Sequence, residues 1–134
     1  MPPRLRYALL LLFTLPLGFA VRFWPLHQPD FLSKYGGSAL WAVAIFYALS
    51  LLLPHRSLAT RTAAALLLAF AIEFFKLVRT PALDAFRLTL PGKLALGRFF
   101  SFQDLVAYAA GIFCAAALDR AAINTPRSRN PAIR

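Results

Sequence analysis

Glu73 stands inside an apolar run, three residues before Lys76 and just ahead of a connector carrying Asp84 and Arg87. Asp104 and Tyr108 follow at the start of the next apolar run. These six residues are the candidate ligand-binding set. Carboxylates and cations at this spacing can pair, hold a charged ligand or move a proton. Ala69, Glu73 and Lys76 share one face of a helix at i, i+4 and i+7, and Asp104, Tyr108 and Gly111 share another in the same way. An ionisable group inside an apolar helix costs several kcal/mol, roughly, unless it is paired or hydrated. With the third helix running to residue 79, Glu73 is about 9 Å from its end at 1.5 Å per residue. Residues 72–108 hold three of the five acids, together with Lys76, Arg79, Arg87, Lys93 and Arg98. If each acid takes one base, positive charge is left over, which suits an anionic envelope component such as a phosphate or carboxylate headgroup. The plain packing reading is that these charges satisfy one another and fix the bundle's register. It is the better reading for Asp104, which can be a helix-start residue.

The elements that must carry these residues are apolar helices. Of 134 residues, 60% are hydrophobic and only 15% are charged, with mean hydropathy +0.63. A core of this size cannot hide so much apolar surface from water. Apolar runs occupy Tyr7–Val21, Ser38–Leu53, Thr62–Val78 and Leu105–Leu118, bounded by Arg, Pro or Asp. Each falls a little short of the ~20 residues that span a bilayer, and flanking Arg and aromatic side chains extend it. The fold expected is all-α: a polytopic membrane bundle of four transmembrane helices at about 5–24, 37–53, 62–79 and 103–121. These make one domain, 1–121, followed by a polar basic tail, 122–134, whose composition reads as disordered.

The connector is expected to break at Pro81, to form a short helical turn pairing Asp84 with Arg87, to turn at Pro91–Gly92 and to bend at Gly97. "LALGRFFSF" is too apolar for an ordinary exposed loop. Residues 88–102 therefore either lie in the interface or re-enter the membrane behind protein. Ser101 is the expected N-cap of the fourth helix, with Asp104 completing a capping box.

With the N-terminus inside, eight Lys and Arg fall on the cytoplasmic side and six on the far side. That bias puts both termini in the cytoplasm. "MPPRLRY" with the run ending "GFA" also fits a cleavable signal peptide, but three further apolar segments favour a retained helix. Nucleic acid is not an expected partner, because no basic helix is interleaved with stacking aromatics; membrane lipid is. No cofactor or metal is expected. His27 and His55 fall on opposite sides of the membrane, and the single Cys114 has no partner for a disulfide. "GKLALGRF" lacks the Lys and Ser or Thr of a phosphate-binding loop. No catalytic set emerges.

Residues 72–111 also carry a family likeness. Ile72, Glu73, Phe74 and Leu77 lead to Pro81, Leu83 and Asp84, then Arg87, Thr89, Gly92, Leu94, Leu96 and Gly97. Phe100, Asp104, Leu105, Tyr108 and Gly111 complete the pattern. Together with Gly37, Leu40, Trp41 and Ala42, this resembles an uncharacterised family of small bacterial integral membrane proteins built around a domain of unknown function. Four positions depart from that pattern: Ser38 where an acid is expected, Lys76 for Gln, and Ala82 and Phe102 for Trp. The family is in turn loosely similar to VanZ-like membrane proteins, which implies a role in the envelope and no specific activity. Three functions follow as alternatives: an outward-facing site for an anionic envelope component, an enzyme at the membrane surface with Glu73 or Asp84 as base, or an assembly partner packing through faces such as Ala109–Gly111 and Ala115–Ala117.

Overall fold

The computed structural model describes residues 2–23, 30–95 and 100–124, with side chains described for 2–21, 35–92 and 100–122. Its elements in order are α1 (Pro3–Phe23), α2 (Asp30–Leu52), α3 (Leu58–Phe75), α4 (Pro81–Leu88), α5 (Leu90–Ala95) and α6 (Phe102–Asn124). The described residues form no strand. Four helices, α1, α2, α3 and α6, are long and apolar enough to cross a membrane, so the chain is an all-helical membrane-spanning protein.

The apolar surplus explains the packing. Large side chains such as Leu12, Leu67, Phe102 and Val106 project outward, each about 70% exposed. Such a surface is stable only in lipid. The interior is built from smaller residues: Ala42 on α2, Ala65 and Ala69 on α3, Ala115 on α6, with Phe46, Tyr108 and Ile112 filling between them. Small residues let helix backbones approach where no hydrophobic force drives them together. α2 is the hub, packing against α1, α3 and α6, and α3 also packs against α6. α6 comes close to α2 at Gly111, where a Cβ would collide with the carbonyl oxygen of Ala39. Glycine is required there because backbone cannot yield to it.

Boundaries differ from expectation for local reasons. Ser57 caps the start of α3, its hydroxyl accepting from the Thr60 N–H at 3.1 Å, so α3 begins at Leu58. It ends at Phe75, four residues before the expected 79. Lys76, Leu77 and Val78 N–H groups donate three residues back, to Glu73, Phe74 and Phe75 carbonyls, a tightened last turn that stops the helix. Glu73 is therefore about 3 Å from the helix end, not 9 Å. α2 starts earlier, at Asp30, and α6 continues to Asn124, into the expected tail.

The connector contains two short helices. Thr80 caps α4, accepting from the Leu83 N–H at 3.2 Å, with Pro81 in its first turn. Thr89 ends α4 and begins α5, its hydroxyl accepting from the Gly92 N–H at 3.2 Å. Pro91 and Gly92 thus open a helix and do not form a simple turn. Gly92 is obligatory because a Cβ would collide with the Phe86 carbonyl oxygen. The expected bend at Gly97 and the expected tail from 125 onward lie outside the described residues.

Candidate functional site: two buried charge clusters

Among the described residues the bundle carries a buried charged cluster at each end. They lie on the same faces of the same helices. Along α3 the buried residues are Arg61, Ala65, Ala69 and Glu73, in steps of four with a charge at each end. Along α6 the buried face reads Asp104, Tyr108, Ile112, Ala115 and Asp119, again with charge at both ends. α2 contributes a buried hydroxyl to each cluster, Ser38 and Ser50.

The first cluster joins the end of α3 to the start of α6. Lys76 places its ammonium 2.6 Å from Glu73 Oε2 and 3.5 Å from Asp104 Oδ2. Glu73 also accepts from the Tyr108 hydroxyl at 2.9 Å and from the Ser101 N–H at 2.8 Å. Asp104 accepts from the Ser38 hydroxyl at 3.2 Å. Glu73, Lys76, Asp104 and Tyr108 are all buried. The local causes are clear. Tyr108 follows Asp104 by one turn, and the Gly111 contact brings α6 near enough to α2 for Asp104 to reach Ser38. Ser101 precedes α6, yet the expected capping box does not form. Its N–H goes to Glu73 of another helix, and Asp104 turns to Ser38 and Lys76.

Asp84 and Arg87 are elsewhere. Arg87 is buried and donates to the carbonyls of Val78 at 2.8 Å and Phe75 at 2.9 Å. Its guanidinium satisfies backbone left open where α3 stops, a need common to all helix ends. Its Nε has no partner among the described residues. Asp84 is half-exposed, 3.5 Å from both Arg87 and Arg79. These two residues hold the connector, and they do not touch the Glu73 cluster. The side chains of Lys93 and Arg98 lie outside the described residues.

The second cluster was not among the expected site residues. Asp119 is its centre. Its Oδ1 accepts from Arg6 at 2.8 Å and from the Tyr7 hydroxyl at 2.9 Å; its Oδ2 accepts from Arg61 at 3.1 Å. Arg61 also donates to Tyr7 and Ser50, each at 2.9 Å, and to the Arg56 carbonyl at 3.2 Å. Its guanidinium stacks near the Tyr7 and Phe46 rings. Arg6, Arg61 and Asp119 look like ordinary flanks when the chain is read one apolar run at a time. The signal that finds them is the four-residue step: Arg61 is in register with Glu73, and Asp119 lies on the Asp104 face.

Residues 27–112, more than half of the chain, match the family described as Protein of unknown function (DUF2809). The chain belongs to that family. The match takes in Glu73, Lys76, Asp84, Arg87, Asp104 and Tyr108, and leaves out Arg6, Tyr7 and Asp119. No solved structure matches the chain.

With two carboxylates and one ammonium among the described residues, the first cluster is formally −1. The second, with one carboxylate and two guanidiniums, is formally +1. No three or more His, Cys, Asp or Glu side chains among the described residues converge to hold a metal ion.

Proposed function

We propose that this is a non-enzymatic multi-pass protein of the bacterial inner membrane, with both termini cytoplasmic and the Glu73–Lys76–Asp104 cluster serving as a ligand site at the outer boundary. The sidedness rests on the Lys and Arg bias. One observation carries the site reading: buried carboxylates from two helices converge on one ammonium. Such a site suits a cationic group, an amine or guanidinium of an envelope component that takes the place of the Lys76 ammonium. An anion would instead bring the buried formal charge to −2 at a position where charge is already costly. This sign differs from the one expected by counting residues, because among the described residues Arg79 and Arg87 make their contacts within the connector and at the end of α3. The enzyme reading is weaker for a related reason. Glu73 is fully buried and already accepts from Lys76, Tyr108 and Ser101, so little of it is left to accept a substrate proton.

A second reading is favoured by the same geometry. Every charged group of the cluster has a partner, so the cluster also suits a clasp that fixes α3 against α6 and α2.

Complementation of a deletion strain separates the two readings. The resemblance to VanZ-like proteins makes sensitivity to glycopeptides and other envelope stress the phenotype to score. Glu73→Gln and Asp104→Asn are introduced singly, and protein in the membrane is quantified for each. On the ligand reading both variants accumulate normally and fail to complement. Complementation by both, or failure explained by degradation, assigns the cluster to the clasp and ends the ligand reading.

A further inference from the structure

On the outer surface of the bundle, facing lipid, an open groove runs between α3 and α6 beside the second cluster. Its volume is about 790 Å³, and its walls include Leu58, Ala59, Ala63, Phe113 and Ala117, with Arg120 among the lining residues. From Leu58 to Leu66, both lining residues on α3, is about 12 Å at 1.5 Å per residue, the length of a large part of one acyl chain. Thr62 also lines the groove, but its hydroxyl is tied to the Leu58 carbonyl at 2.8 Å. The channel is therefore apolar along its length and cationic at one end.

We propose that this groove holds an acyl chain of an anionic phospholipid whose net-negative headgroup, with no cation of its own, is bound by Arg120. Charge complementarity selects this occupant. Arg4, Arg56 and Arg120 are exposed at this end of the bundle. The acid there among the described residues is Asp119, which is buried and shared between Arg6 and Arg61. Among the described residues the accessible charge at this level is thus entirely positive. A second copy docking by the same face would bring another set of arginines to that level, whereas an anionic headgroup neutralises them. Small residues on both walls leave space for a chain, and Arg120 fixes which lipids gain most from filling it.

Native mass spectrometry of the full chain in detergent tests this, with phosphatidylglycerol and phosphatidylcholine added at equal concentration. Wild type is expected to retain phosphatidylglycerol about five-fold better, the ratio equivalent to ~1 kcal/mol per arginine at an anionic surface. Arg120→Ala should abolish the preference, and Arg4→Ala should keep it. Ala117→Trp, which fills the groove from an exposed position, should reduce retention of both lipids with the helical circular dichroism unchanged. Equal retention of the two lipids by wild type overturns the proposal. So does a preference lost equally with Arg4→Ala, which makes it a general surface effect. A wild-type dimer that Ala117→Trp converts to a monomer, with lipid retention unchanged, reassigns the groove to self-association.

Discussion

The two ends of the bundle solve one problem with opposite charge and different tightness. At the Asp119 end a single carboxylate is shared by two guanidiniums, and every contact around it is 3.1 Å or shorter. At the Glu73 end a single ammonium is shared by two carboxylates, and its second contact, to Asp104, stretches to 3.5 Å. The difference follows from the side chains. Guanidinium is planar and offers several donors at fixed angles, so two of them can surround a carboxylate; the lysine ammonium is a point charge on a flexible stem. The Asp119 end is therefore the rigid fastening. The Glu73 end holds its internal cation by one short and one long contact, which is what the proposed exchange for an outside cation would require.

The comparison breaks most visibly at Asp119. Asp119→Ala leaves Arg6 and Arg61 facing each other, one of them buried, and is expected to cost about 3 kcal/mol. Asp104→Ala leaves Lys76 with its 2.6 Å partner Glu73 and is expected to cost only about 1 kcal/mol. Unfolding in detergent, followed by thermal or denaturant midpoint, reads both. Equal losses would show that the two ends are equally tight.

Gly111→Leu acts through spacing. The side chain must push α6 away from the Ala39 carbonyl, at a cost of about 2 kcal/mol. It should also loosen Asp104 from Ser38 while leaving the Asp119 end in place. Cysteine cross-linking between α2 and α6, measured near each end in turn, checks whether the separation is confined to the Glu73 end. Thr80→Ala removes the α4 cap, a loss similar in size to that of Asp104→Ala, about 1 kcal/mol. It should raise amide exchange in residues 81–88 without moving either cluster.

Much of this architecture is legible in the sequence. Composition demands lipid, and four runs give four helices. Glu73, Lys76, Asp104 and Tyr108 are recognisable because each is polar at helical spacing within or beside an apolar run. What escapes is long-range. Arg87 reads as a site residue because burying it is costly, yet its partners are carbonyls of Phe75 and Val78, which no side-chain pattern reveals. The end of α3 at Phe75 comes from three backbone bonds that reach back three residues, equally invisible to such a pattern. Asp119 looks like a terminator of its run because its partners, Arg6 and Tyr7, sit at the other end of the chain. Helices that are apolar nearly all round hide which stripe faces inward; only the repeated step through Arg61, Ala65, Ala69 and Glu73 exposes it.

The hydrogen bonds from Tyr7 and Arg6 to Asp119 close over 112 and 113 residues, so the first helix to be synthesised waits for the last. At ordinary translation rates that interval is on the order of ten seconds. For the second part of it, the 58 residues from Arg61 to Asp119, Arg61 is already in the nascent chain while its carboxylate does not yet exist. A chain halted before α6 carries a guanidinium at a buried position of α3 with no carboxylate to meet it.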